Sequence, residues 1–106
     1  HVSIKLTQFG WDIDQSRALD RVRAMARLAA DGGTILPIDM EGSPYVESTV
    51  AAYETLAREF PNVALCLQAY LHRTPQDLKR LLAVRPYIRL VKGAYREPAD
   101  VALPHL

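Results

Sequence analysis

Short apolar runs alternate with longer amphipathic stretches along this chain. The apolar runs are rich in Val, Ile and Leu, and their length suits strands buried on both faces of a parallel sheet. They occupy residues 2–6, 34–40, 63–70 and 87–91. The pattern therefore predicts four strands, with one helix between each strand and the next.

The first two amphipathic stretches carry helix signals at both ends. In the first, Gly32-Gly33 is a natural stop, and Asp12 or Asp14 can cap the start. The second helix is predicted within residues 43–60, and Pro61-Asn62 ends it. Apolar residues recur at helical spacing in the first stretch: Ala18, Leu19, Val22, Met25, Ala26 and Ala29.

The third stretch shows a start signal of a different kind. Thr74 is predicted to cap the helix, Pro75 suits its first turn, and Asp77 completes a capping box. Arg85-Pro86 ends this helix, because a residue before proline is pushed out of helical geometry. The resulting order β-α-β-α-β-α-β is typical of α/β proteins with right-handed crossovers.

Four strands and three helices suit either an open doubly wound sheet or half of a (β/α)8 TIM-type barrel. A dinucleotide-binding sheet would carry the Gly-rich turn G-x-G-x-x-G after its first strand. That turn is absent here, so the sequence favours part of a barrel. The chain opens at His1 and stops at Leu106 soon after the fourth strand. Both ends look cut, and we expect residues 1–106 to be a fragment of one barrel domain.

Composition narrows the class of protein further. The chain has 106 residues and a formal net charge of +1, which gives no electrostatic reason to expect nucleic acid as a partner. Cys66 is the only cysteine, which favours a reducing, cytoplasmic compartment, and we expect it to pack as a small apolar residue. His1, His72 and His105 lack metal-ligand spacing, so no metal site is predicted.

Every predicted strand brings polar side chains to its carboxyl end. Alternation along a strand places residues two apart on one side, as for Ser3 with Lys5, Asp39 with Glu41 and Gln68 with Tyr70. The fourth strand contributes Arg89 and ends in Lys92-Gly93. In barrel enzymes this end is the catalytic face, so the pattern predicts a functional site there.

Simpler readings exist for some of these residues. Lys5 taken alone is typical of a snorkelling lysine at a strand end. Asp39 can cap a turn, and Glu41 is expected to be solvated or capping. Gln68 and Arg89 are harder to explain this way. A buried amide needs partners, and a guanidinium within an apolar strand is costly unless it meets an anion or a polar ligand.

Four segments of the chain closely resemble bacterial monofunctional proline dehydrogenases. They are residues 2–7, 38–44, 67–71 and 88–95, and they match in order over essentially the whole chain. The string R-L-V-K-G-A-Y after a Q-A-Y strand is specific, and the bifunctional proline-utilisation enzymes share it. The resemblance implies a distorted (βα)8 barrel that holds FAD non-covalently and oxidises L-proline to 1-pyrroline-5-carboxylate.

The same resemblance implies roles for individual residues. Lys5 matches a lysine that contacts the substrate carboxylate, and Asp39 matches an active-site aspartate that orients it. Arg89 matches an arginine beside the isoalloxazine, where it can stabilise negative charge on the reduced flavin. Tyr95 matches a tyrosine near the substrate. The residues that match FAD contacts are Met40, Gln68, Arg89, Val91, Lys92, Gly93 and Ala94.

The resemblance also implies partners, and it shows what this chain lacks. It implies that electrons pass to a membrane quinone, with the parent enzyme in peripheral contact with the inner face of the membrane. The family's later strands, and its last helix with two arginines that clamp the proline carboxylate, are not in this sequence. We therefore expect the fragment alone to be unstable or to aggregate, and to be inactive.

Two alternatives remain open on the residues themselves. The first is a barrel aldolase in which Lys92 forms a Schiff base with the substrate. The second is a non-catalytic α/β module in which the polar groups at the strand ends only satisfy turns.

Overall fold

Three helices and three parallel strands alternate along the chain. A computed structural model describes residues 3–93 and 97–103. The helices are α1 (Gln15–Asp31), α2 (Val46–Glu59) and α3 (Thr74–Leu81), and the strands are β1 (Leu36–Ile38), β2 (Val63–Gln68) and β3 (Ile88–Val91). Short 3-10 helices lie at Leu6–Phe9, Ser43–Tyr45 and Leu82–Val84. The predicted α/β class is confirmed.

The sheet has the order β1-β2-β3, and both pairings are parallel. In register, Leu36 lies opposite Val63, and Leu65 lies opposite Ile88. Every residue of β1 is buried, and every residue of β2 except Cys66 is buried. The central strand therefore has the two-sided burial that its apolar run predicts.

The strand predicted at residues 2–6 is reduced to a single bridge over the residues that the structure describes. Ile4 pairs in parallel with Ile38, and Ile4 N–H donates to the Pro37 carbonyl at 2.9 Å. A 3-10 helix then begins at Leu6. The chain leaves the extended conformation here because the Gln8 side chain accepts from the Lys5 backbone N–H at 2.8 Å and closes a turn.

The strand β3 also departs from the prediction of two-sided burial. Ile88 is half-buried, whereas Leu90 and Val91 are 58% and 38% exposed. Within residues 3–93 and 97–103, no strand pairs with the outer edge of β3, and no helix follows it to cover its face. Its apolar side chains therefore face solvent.

The first two helices form where the sequence predicts them. Asp14 caps α1, and its side chain accepts from Arg17 N–H at 3.1 Å. Within α2, Tyr53 is buried, and its hydroxyl accepts from Tyr87 N–H at 2.8 Å and donates to the Val63 carbonyl at 3.3 Å. This hydroxyl fixes α2 to both β2 and the approach to β3.

The capping box predicted for α3 is wrong. Thr74 is the first residue of the helix rather than its cap, and its hydroxyl donates to the Gln68 carbonyl. Asp77 is buried and accepts two hydrogen bonds from the Arg73 guanidinium, at 2.8 and 2.9 Å. Asp77 is held by a charge-assisted pair with Arg73 four residues earlier, which is stronger than the neutral backbone bond of a capping box. The Thr74 hydroxyl is occupied by the Gln68 backbone carbonyl.

Candidate functional site

A cavity of about 450 Å³ opens at the carboxyl ends of the strands. This is the edge at which parallel strands present functional groups in barrel enzymes. The volume lies within the range of small-molecule sites. The lining residues come from four separate stretches of the chain: Lys5, Asp39, Met40, Cys66, Gln68, Val91, Lys92 and Gly93.

Lys5 and Asp39 form a charged pair at the cavity wall. Asp39 follows β1, and its Oδ2 atom accepts from Ser3 Oγ at 2.8 Å and lies 3.7 Å from Lys5 Nζ. The two charged side chains are 41% and 31% exposed. A pair this open adds little to stability, and at 3.7 Å the ammonium is attracted to the carboxylate without a hydrogen bond. An ammonium has three donors, so Lys5 can bind an anion while it remains paired.

Gln68 is almost completely buried at the end of β2. Its side-chain Nε2 donates to the Glu41 backbone carbonyl at 3.3 Å. The Gln68 backbone carbonyl accepts from the Thr74 hydroxyl. The side-chain amide therefore has a hydrogen-bond partner where it borders the cavity, as a buried glutamine requires.

Glu41 is neither solvated nor capping, which corrects the sequence prediction. The side chain is buried, and its Oε1 atom accepts from Thr7 Oγ1 at 2.6 Å. Its Oε2 atom has no hydrogen-bond partner in the described part of the chain. The contact fastens the turn after Lys5 to the loop after Asp39, so Glu41 supports the two elements that carry the charged pair.

Tyr70 packs directly on Gly93 at the other wall. Gly93 has φ 131°, and a Cβ at this position would collide with the Tyr70 ring. Glycine is therefore required here for both conformation and space. The Tyr70 backbone N–H donates to the Lys92 carbonyl at 3.0 Å. This bond holds the residues that follow β3 next to those that follow β2.

Cys66 is the lining residue that the sequence analysis missed. It lies two residues before Gln68, so alternation along β2 places both on the cavity side. Burial raises the pKa of the Cys66 thiol, the Asp39 charge raises it further, and a hydrogen bond with the Met40 backbone acts in the opposite direction. The strand period is the signal that identifies this residue.

Arg89 lies in register with Cys66 on β3. Its side chain is exposed and is not part of the cavity lining. The expectation that Arg89 meets an anion or a polar ligand stays a prediction.

Most of the predicted site residues meet at this cavity. Those that line it are Lys5, Asp39, Met40, Gln68, Val91, Lys92 and Gly93. Ala94 and Tyr95 lie outside the described residues. Within residues 3–93 and 97–103, no group of three His, Cys, Asp or Glu side chains is placed to hold a metal ion. In the same ranges, no helix is both long and apolar enough to span a bilayer.

Comparison with known families and proteins gives one consistent result. The family model described as proline dehydrogenase matches residues 1–100. Proline dehydrogenase 1 of Bacillus subtilis strain 168 is 38% identical over 103 residues, which cover 97% of this chain and 34% of that protein. Proline dehydrogenase of Deinococcus radiodurans is 39% identical over 109 residues, covering 98% of this chain and 35% of that protein.

A solved structure shares both the fold and part of the sequence. It is the crystal structure of proline utilization A from Bdellovibrio bacteriovorus, inactivated by N-propargylglycine. The TM-score is 0.75 at 29% identity, over 90% of this chain and 12% of that one. The present chain thus spans about one third of the length of the curated relatives it matches.

Proposed function

Since the chain belongs to the proline dehydrogenase family, we propose that it forms part of a catalytic barrel that oxidises L-proline to 1-pyrroline-5-carboxylate. The observation that carries the proposal is the cavity at the carboxyl ends of the strands. Its lining unites Lys5, Asp39 and Gln68 with Lys92-Gly93, residues that come from distant parts of the sequence. This grouping favours a shared binding site over separate turn-forming roles.

We propose that residues 1–106 belong to a single barrel domain. The chain spans about a third of the length of its relatives. The edge of β3 that stays unpaired in the described part of the chain, and the exposed apolar face beside it, are the surfaces that a further strand and helix would cover. In this proposal the fragment supplies one wall of the site, and the rest of the barrel supplies the other.

The cavity suits a flavin nucleotide. Gln68 offers a fixed amide, and Lys92 offers an ammonium that can meet flavin carbonyl or phosphate oxygens. Met40 and Val91 add apolar surface, and Gly93 allows close approach of the backbone. We propose that these residues hold FAD, together with Arg89 and Ala94. When bound, FAD provides the acceptor for the hydride that leaves the ring carbon of proline.

The protein's own groups then bind and orient the substrate. Lys5 binds the proline carboxylate, and Asp39 holds the Lys5 ammonium in position through the 3.7 Å ion pair. Tyr95 lies against the substrate in this proposal. Arg89 contributes a permanent positive charge beside the flavin ring, where negative charge develops during the reaction. A charge provided in advance lowers the reorganisation needed in the transition state.

The resemblance further supports a membrane quinone as the final electron acceptor. We propose that the complete enzyme works in the cytoplasm, in peripheral contact with the inner face of the membrane. Turnover with a soluble quinone analogue, compared with turnover when vesicles containing quinone are added, tests this part of the proposal. Equal rates with and without vesicles would contradict the membrane contact.

The decisive experiment uses a protein of the relatives' full length that carries this chain. Its absorbance spectrum is recorded under anaerobic conditions before and after L-proline, with D-proline as the matched control. A flavin band that bleaches only with L-proline supports the proposal. Absence of flavin, or flavin indifferent to proline, would overturn it.

An aldolase alternative predicts an adduct of Lys92 that borohydride traps. A Schiff-base lysine needs a desolvated amine, and the Lys92 side chain is exposed in the described structure. Borohydride treatment in the presence of a carbonyl substrate therefore tests the aldolase alternative. We expect that it labels no peptide that contains Lys92.

A further inference from the structure

Residues 97–103, here called the return segment, fold back across the carboxyl end of β2. Leu71 and Ala102 form an antiparallel bridge. The His72 N–H donates to the Val101 carbonyl at 2.9 Å, and the Leu103 N–H donates to the Tyr70 carbonyl at 2.8 Å. The return segment is therefore bonded to the strand end that carries Gln68.

Glu97, the first residue of this segment, makes a long-range contact. Its Oε1 atom accepts from the Ser43 backbone N–H at 2.8 Å, across 54 residues of sequence. Ser43 begins the 3-10 helix that leads into α2, where the first N–H groups have no intrahelical partner. A carboxylate is favoured at this position by hydrogen bonding and by the local dipoles of the helix start. The contact is partly buried, so salt screens it less than a surface pair.

The Glu97–Ser43 bond lies between two segments that each follow residues of the cavity wall. Ser43 comes shortly after the wall residues Asp39 and Met40, which directly follow β1 in the sequence. Glu97 follows the wall residues Lys92 and Gly93, which leave β3. The Glu97–Ser43 bond therefore links the loop after β1 to a segment that is bonded to the Tyr70 carbonyl after β2, and the Tyr70 ring packs on the wall residue Gly93.

We infer that Glu97 is a positioning residue that sets the separation of the two cavity walls and thereby the affinity for the cofactor. This inference rests on the proposed function, because it takes FAD as the occupant of the cavity. Glu97 does not line the cavity, so it acts through Ser43 and the loop from Asp39 rather than by contact with the ligand.

The test uses full-length protein carrying this chain, as wild type and as three variants. Glu97→Ala removes the acceptor, Glu97→Gln keeps an acceptor oxygen without the charge, and Asp100→Ala changes an exposed acid of the same segment. FAD dissociation constants come from quenching of flavin fluorescence, and visible circular dichroism reports the geometry around the bound ring. We expect Glu97→Ala to weaken FAD binding about tenfold and to alter the dichroism, with Glu97→Gln intermediate and Asp100→Ala unchanged.

The outcomes separate this inference from the proposed function. If the wild type binds no FAD, the proposed function fails, and the role of Glu97 fails with it. If the wild type binds FAD and Glu97→Ala binds it equally well with the same dichroism, only the positioning role is overturned. A loss of affinity shared equally by Asp100→Ala also overturns it, because the effect would then reflect general weakening of the return segment. Recovery in Glu97→Gln supports it even where Glu97→Ala folds poorly.

Discussion

At the scale of single residues, Asp39 belongs to a weak ion pair to which we assign a role in substrate binding as a proposal. One carboxylate oxygen receives both the Ser3 hydroxyl and the Lys5 ammonium. At this exposure the pair contributes no more than about 1 kcal/mol to stability. We propose that the pair instead orients the Lys5 ammonium, the charge that binds substrate in our proposal.

We predict that Asp39→Asn lowers kcat/KM for L-proline at least about tenfold, or roughly 1.4 kcal/mol. The amide keeps the size of the side chain and can still bind Ser3, but it no longer holds the ammonium by charge. The melting temperature should stay almost unchanged, because the pair is exposed. Ser3→Ala is the matched control and should affect kcat/KM less. Wild-type kinetics in Asp39→Asn would contradict the orienting role.

Cys66 provides a chemical probe of the same cavity. Burial raises the pKa of its thiol, so the reactive thiolate is scarce at neutral pH. We predict that N-ethylmaleimide labels Cys66 at pH 7.5 more slowly than it labels a solvent-exposed thiol. The labelling rate should rise with pH, and bound FAD should lower it further. Peptide mass spectrometry measures the rate, with Cys66→Ser as the control for assignment. Labelling at equal rates with and without FAD would place the cofactor elsewhere.

At the scale of elements, α2 and α3 are joined by charge. Glu47 on α2 accepts hydrogen bonds from Arg73 at 2.8 Å and from Arg80 at 3.0 and 3.1 Å. Arg80 also binds Glu54, and Arg73 binds Asp77. This cluster connects the two helices on their outer side, away from the sheet.

We predict that the contribution of Glu47 to the stability of the fold depends on pH. Hydrogen bonds from Arg73, then from Arg80, lower the pKa of Glu47 below its ordinary value of 4.5. The stabilisation is therefore present above about pH 4.5 and is lost as the pH falls through the lower pKa of the folded state. Glu47→Gln should lower the free energy of unfolding at pH 7 by less than about 1 kcal/mol, because the side chain is largely exposed, and the melting temperature should fall accordingly. The difference from wild type should shrink towards pH 3. Asp100→Asn, outside the cluster, is the control, and a pH-independent difference would contradict the charge argument.

Local signals explain which elements the sequence predicts well. The helices α1 and α2 depend on their own apolar spacing and, for α1, on the Asp14 cap, so the pattern is sufficient. The capping box at the start of α3 fails because the Thr74 hydroxyl binds the Gln68 backbone carbonyl and Asp77 pairs with Arg73 four residues earlier. The capping-box pattern does not show that these competing bonds form instead. The shortening of the first strand likewise depends on a side-chain bond, from the Lys5 backbone to Gln8.

At the scale of the whole molecule, the sequence predicts those residues of the candidate site that lie at the carboxyl ends of parallel strands. Strand ends meet at one edge, so Lys5, Asp39 and Gln68 were expected to lie together, and they do. The burial of Glu41 and its bond to Thr7 depend on the path of two loops, which no pattern of residues specifies. The bond between Glu97 and Ser43 joins residues 54 apart in the sequence. The periodic pattern of apolar residues cannot predict it, because it also depends on the path of the loops.

The open side of the sheet leads to the last prediction, which concerns the 106-residue chain by itself. Tyr87 and Leu90 are 46% and 58% exposed on or beside β3, next to an edge with which no strand of residues 3–93 and 97–103 pairs. Exposed edges with apolar side chains pair with other chains. We therefore predict that the isolated chain associates as its concentration rises, retains no FAD and does not turn over L-proline.

Sedimentation velocity measures the association, and Leu90→Lys should reduce it by placing a charge beside the edge. Leu28→Lys is the matched control, because Leu28 is 68% exposed on α1 and lies away from the sheet edge. Equal effects of the two substitutions would mean that solubility in general, rather than the edge of β3, governs association. A monomeric isolated chain that binds FAD and oxidises proline would show that one third of the relatives' length is enough to build the site.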